Sequence, residues 1–121
     1  LSYSCAMALL NLDFIKDNVS DEPEFITELL QVFKQDVFKD FETVQRSIQN
    51  SDFQSIRADA HKVKSSLRSI CLDECWKRLQ EAEDLGKSAT GLDRIIQLSL
   101  EINALMPELK KEVGTYLLKP H

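Results

Sequence analysis

Ile26, Leu30, Phe33, Val37, Phe41, Val44 and Ile48 recur at steps of three and four residues, and no proline or glycine breaks the run. That spacing puts all seven side chains on one stripe and predicts a single amphipathic helix over roughly 22–49, more than six turns long. A stripe of this length must be covered along its whole extent, and other helices are its natural cover.

The flanking sequence supplies them. Asp21, Pro23 and Glu24 mark the start of the long helix: an acidic cap, a proline whose missing N–H costs nothing in the first turn, and negative charge beside the helix dipole. Asn50 and Ser51 stop it, and Ser51 with Gln54 has the S-x-x-Q spacing of a capping box, so the next helix begins at once as an antiparallel neighbour. That helix carries Phe53, Ile56, Ala60, Val63, Leu67 and Ile70 inward and should end near Ile70. The stretch CLDECWKRLQEAEDL predicts a further helix with Leu72, Cys75, Trp76, Leu79, Ala82 and Leu85 inward and Gly86 as its C-cap. Thr90 and Asp93 offer a capping pair for a last helix with Ile95, Ile96, Ile102, Leu105, Leu109, Val113 and Leu117 inward, and Pro107 is expected to kink or interrupt it. Near the start, Leu12, Ile15 and Val19 share one side of a short helix that covers an end of the core.

No repeat, low-complexity segment or linker divides the chain, so residues 1–121 read as one all-α domain with its core at about 11–117. The expected architecture is an antiparallel up-and-down four-helix bundle with a short N-terminal helical extension.

Charge and cysteine usage narrow the function. Fifteen Lys and Arg against 20 Asp and Glu give a net charge of −5, which argues against coating nucleic acid or an anionic membrane through bulk charge. The apolar opening LSYSCAMALL is too short to span a bilayer and has no basic segment before it, while a start at Leu1 leaves room for a longer parent. Cys5, Cys71 and Cys75 have neither a secreted-scaffold nor a zinc spacing and read as free thiols in a reducing compartment. A metal site from His61, Cys71 and Cys75 is excluded because Cys75 points inward and His61 outward. A cytoplasmic monomer is the expectation.

His61 falls about 130° from the buried stripe of its helix. Arg57, Lys64, Ser65 and Arg68 lie close to it on the wheel, four before and three, four and seven after. Such a face is either a solvated basic stripe with an incidental histidine or a place to hold a dianion, where cations offer charge-assisted donors and a neutral imidazole is nucleophilic. Small Ser65 leaves room for a partner's surface. Reflection through the turn at Asn50 and Ser51 puts residues near 37–41 beside His61, with Phe38 as either an exposed contact or flanking core.

The stretch AHKVKSSLRSI, followed by CLDECWKRLQEAEDLG, resembles the histidine-containing phosphotransfer (HPt) domains of two-component phosphorelays, whose pattern is close to A-H-x-L-K-G-S-S. Ala60, His61, Val63, Lys64 and Ser66 match by type and position, and Glu83 fits a later glutamate of the family. Upstream, DEPEFITELLQVFKQD resembles the segment D-P-E-F-x-x-E-L-L-x-x-F. Ser65 replaces the usual glycine, and Cys71 stands where the turn between the two helices often has one.

The resemblance implies a phosphoryl carrier. His61 Nε2 would accept a phosphoryl group from a receiver-domain aspartate and pass it to another response regulator. Lys64 would neutralise phosphoryl oxygens, with Arg57 and Arg68 helping. Lys34, Phe38, Arg57, Lys62 and Arg68 would form the rim that selects partners. Those partners would be receiver domains and a sensor or hybrid histidine kinase, with magnesium on the receiver and no cofactor here. Gly86, Gly91 and Gly114 form no phosphate-cradling loop, so the chain is not expected to be an enzyme with a kinase site of its own. Two alternatives stay open: the phosphorylation-site domain of a chemotaxis-type histidine kinase, and a docking scaffold that transfers nothing.

Overall fold

Residues 9–119 are described in the computed structural model, so Cys5 and His121 lie outside the described residues. They form α1 (Leu12–Asn18), α2 (Pro23–Gln49), α3 (Phe53–Arg68), α4 (Asp73–Ser88) and α5 (Leu92–Leu118), and no strand is present among them.

All seven residues of the α2 stripe are buried. Four long helices close a ring around it: α2 packs on α3 and α5, and α4 packs on the same two. Ile56, Ala60, Val63, Leu67 and Ile70 come in from the α3 side, and Cys75, Leu79 and Ala82 from α4. Phe53, Trp76 and Leu85 are half-buried against the core.

The helix ends depart from the sequence reading in ways that have local causes. α2 opens with Pro23 in its first turn as expected, but Glu22 rather than Asp21 is the N-cap, and no side chain caps the turn. Ser51 adopts a left-handed φ of 53°, so Asp52 caps α3 instead, its carboxylate accepting from the Ser55 N–H at 3.2 Å and from the Ser55 hydroxyl at 2.8 Å. α4 starts at Asp73 because the backbone before it is taken. Cys71 forms an antiparallel bridge with Leu10, the Leu72 N–H donates to the Leu9 carbonyl at 2.8 Å, and the Asn11 N–H donates to that of Ile70 at 2.9 Å. Leu72 is therefore exposed, not inward. Gly86 lies inside α4 rather than at its cap, and Ala89 supplies the left-handed C-cap.

Gly91, with a φ of 70°, is the N-cap of α5, and the Thr90 and Asp93 pair goes unused. The helix is not interrupted at Pro107, an exposed position where water can take the carbonyl that loses its N–H partner. Ile95 is fully buried, so its neighbour Ile96 turns outward and is exposed. Leu98, Met106 and Tyr116 fill the stripe together with Ile102, Leu109 and Val113. In α1 Ile15 is buried while Val19, just beyond the helix end, is exposed.

The segment before α1 is pinned by a buried carboxylate. Glu112, 4% exposed, accepts from the Leu9 N–H at 3.0 Å and from the Leu10 N–H at 2.9 Å. Cys71 and Cys75 are both buried beside it as free thiols. A hydrogen bond between the two, followed by burial, pushes the Cys71 thiol well above its ordinary value.

Candidate functional site

His61 and Lys64 sit on α3, one turn apart, and face Glu83 and Gln80 on α4. The two helices approach closely here because Gly86, one turn past Glu83, has no side chain. A Cβ on it would stand 3.0 Å from the Arg57 nitrogen. The His61 side chain is 59% exposed, and its Nδ1 lies 3.1 and 3.2 Å from the two Glu83 carboxylate oxygens.

Lys64 corrects the wheel reading. It was expected on the exposed face with His61, yet it is 7% exposed. Its amine lies 2.8 Å from Glu83 Oε1 and donates to Gln80 Oε1 at 2.9 Å. The long stem covers apolar surface, and its head finds a carboxylate on the next helix before it reaches water. Gln80 in turn donates to Asp84 Oδ1 at 3.0 Å, so a continuous chain of side chains runs from Asp84 through Gln80, Lys64 and Glu83 to His61.

Glu83 is the hinge of this chain. Partial burial alone pushes its carboxyl up, but hydrogen bonds from Lys64 and His61, reinforced by their charges, outweigh that and hold it below the usual carboxylate value. An ionised carboxylate only accepts, so the proton of a neutral imidazole sits on Nδ1 and the lone pair on Nε2. Among the described residues nothing bonds Nε2. The result is a nucleophilic nitrogen on an anchored ring facing solvent.

The other expected residues divide by face. Arg57 and Ser65 are exposed on α3, before and after His61, and Arg57 lines an open recess of about 370 Å³ together with Ala58, His61 and Glu83. Lys62 turns toward α2 and pairs with Asp40 at 3.2 Å. The Arg68 guanidinium lies 5.2 Å from the Trp76 ring centroid. Lys34 and Phe38 are not brought to His61. They line a separate recess with Lys110 and Leu117 of α5, where Phe38 is half-buried, edge-on to Phe33 at 6.4 Å and 5.8 Å from the Lys110 amine. The 100° step from Val37 turns Phe38 toward α5, not toward α3.

Gln80 and Ala58 were missed in the sequence. Gln80 could have been found three residues before Glu83, a spacing that puts both on one face of α4. Among the described residues no group of three or more potential ligands could hold a metal ion, and no helix is long and apolar enough to cross a membrane.

An exposed imidazole whose Nδ1 is anchored by a carboxylate has the chemistry of a nucleophile for an electrophile brought from outside. The family model of the Hpt domain matches residues 28–112, well over half of the chain, and the chain belongs to that family. Hpt domains are histidine-containing phosphotransfer carriers of two-component signalling rather than classical enzymes, and they work with receiver domains and histidine kinases. No curated protein and no solved structure matches the chain.

Proposed function

We propose that this Hpt domain is a phosphorelay carrier whose acceptor atom is His61 Nε2. In the forward step the Nε2 lone pair attacks the phosphorus of an aspartyl phosphate on a receiver domain. The P–N bond forms as the P–O bond to the aspartate breaks, and the aspartate leaves with the electron pair as a carboxylate. The ring gains positive charge while its Nδ1 proton stays on the hydrogen bond to Glu83, which stabilises that charge. Transfer to a second receiver is the reverse sequence on a different aspartate. Magnesium is supplied by the receiver, and the carrier needs no cofactor of its own.

The observation that carries this reading is the state of His61: Nδ1 held 3.1 Å from Glu83 while the side chain stays 59% exposed. Lys64 acts behind the carboxylate, fixing Glu83 in the orientation that sets the tautomer, which differs from direct contact with phosphoryl oxygens. Ser65, Arg68, Arg57 and Lys62 form the docking rim on α3, and Lys34 and Phe38, which line the separate recess against α5, are left out of it. The whole chain acts as one domain with its core at about 11–117, its four long helices alternating up and down, as a cytoplasmic monomer that engages neither nucleic acid nor membrane.

Phosphoramidate, a small donor that needs no partner protein, tests the proposal. The wild type should gain one acid-labile phosphate by intact mass at neutral pH and His61→Gln none. Equal labelling of the two would refute His61 as acceptor.

A further inference from the structure

Side chains on a helix lean toward its N-terminus, so the His61 ring lies over the turn that holds Arg57 and Ala58, not over the turn that follows. The recess of about 370 Å³ lined by Arg57, Ala58, His61 and Glu83 lies on that side. It is open to solvent and wide enough for the phosphorus and three oxygens of a phosphoryl group. Ala58 keeps it open, since a longer side chain three residues before His61 would fill it.

A dianion in this recess meets a charge problem. Glu83 lines the same recess with its own negative charge, and the Lys64 amine that balances it is buried behind it, already bonded to Glu83 and Gln80. Lys62 is paired with Asp40, and the Arg68 guanidinium is over Trp76. Arg57 is exposed, lines the recess, and pairs with no described residue.

Building on the carrier reading above, we infer that Arg57 is the cation that binds the phosphoryl oxygens of phosphohistidine 61, in the recess kept open by Ala58, while Lys64 serves Glu83. The guanidinium fork suits two oxygens of one phosphoryl group, which a single buried amine on the far side of a carboxylate does not. The charged groups around the phosphoryl site are then Arg57 and His61 on α3 and Glu83 on α4, with Lys64 behind.

The test loads wild type, Arg57→Gln, Arg57→Lys, Ala58→Leu and Lys16→Gln with phosphoramidate and follows phosphohistidine by ³¹P NMR through a pH titration. Arg57 and Ala58 are exposed helix positions, so the variants should fold, and circular dichroism verifies it. A bound guanidinium favours the dianion. Arg57→Gln should therefore raise the midpoint of the phosphoryl ionisation by about half a unit or more, roughly a threefold change in the constant. Arg57→Lys should recover part of that shift. Lys16→Gln, which removes the same charge from α1, should leave the midpoint at the wild-type value. Ala58→Leu should load several-fold more slowly. If wild type and Arg57→Gln both load on His61 and titrate alike, the Arg57 assignment falls while the carrier reading stands. If the wild type does not load at all, both fall.

Discussion

Two glycines inside helices should answer the same substitution in opposite ways. Gly86 in α4 packs on α3: an added Cβ would lie 3.0 Å from the Arg57 nitrogen, 3.1 Å from the Phe53 carbonyl oxygen and 3.2 Å from the Arg57 Cα. All three are backbone atoms and cannot swing aside, so the helices must part. Gly114 in α5 has nothing within 4 Å of the same added atom. Alanine gains about 1 kcal/mol over glycine in a helix interior, and this gain applies to both sites. Overpacking costs about 1–3 kcal/mol and applies only at Gly86. Gly114→Ala should therefore stabilise by about 1 kcal/mol, whereas Gly86→Ala should end at or below the wild type. Thermal melts by calorimetry or circular dichroism read this directly, since 1 kcal/mol is worth about 3–5 °C in a domain of this size. Equal rises in both variants would refute the close approach of α3 and α4 at Gly86. The argument has a functional arm, because parting these helices one turn from Glu83 should loosen its hold on His61 and slow phosphoryl loading.

Two further predictions concern carboxylates. Glu83 sits below its ordinary value of 4.5, so the stability it contributes is fully present above that pH and is lost as pH falls through the folded-state value. The melting temperature of the wild type should decline on the acid side of about 4.5, and Glu83→Gln should flatten that part of the decline; an unchanged acid limb would contradict the ion pair with Lys64. Glu112 Oε1 accepts from both the Leu9 and Leu10 N–H groups and Oε2 lies 3.2 Å from that of Leu9, so Glu112→Gln puts an NH2 that only donates beside these donors, and their hydrogen exchange should quicken by about tenfold, as expected for loss of about 1.4 kcal/mol of local protection. Unaltered exchange at both amides would show that something other than Glu112 holds the segment.

The all-helical class was legible because apolar residues at steps of three and four dominate the chain, and every member of the α2 stripe is buried. Helix ends were less legible because tertiary contacts decide them. Nothing in the sequence around Cys71 announces a bridge to Leu10, sixty-one positions away, yet that bridge delays the start of α4. Gly86 reads as a C-cap in the sequence, and its actual role as a point of close contact depends on where the partner helix α3 lies. At the site, the exposure of His61 followed from its angle on the wheel, but the burial of Lys64 did not. A wheel fixes where a side chain leaves the helix. A lysine then has four carbons with which to turn back, and its end point depends on where α4 places Glu83 and Gln80. Phe38 stayed open between exposed contact and flanking core for another reason: α2 touches both α3 and α5, and the sequence does not say which of its flanks meets which neighbour.

The central claim is that Glu83 holds Nδ1 of His61 and so leaves Nε2 as the phosphoryl acceptor. The most direct measurement is a ¹⁵N–³¹P correlation spectrum of the phosphoramidate-loaded protein with ¹⁵N-labelled histidine. The account predicts phosphorus bonded to Nε2 of His61, with the Nδ1 proton still present. Phosphorus on Nδ1, or on a residue other than His61, would contradict it.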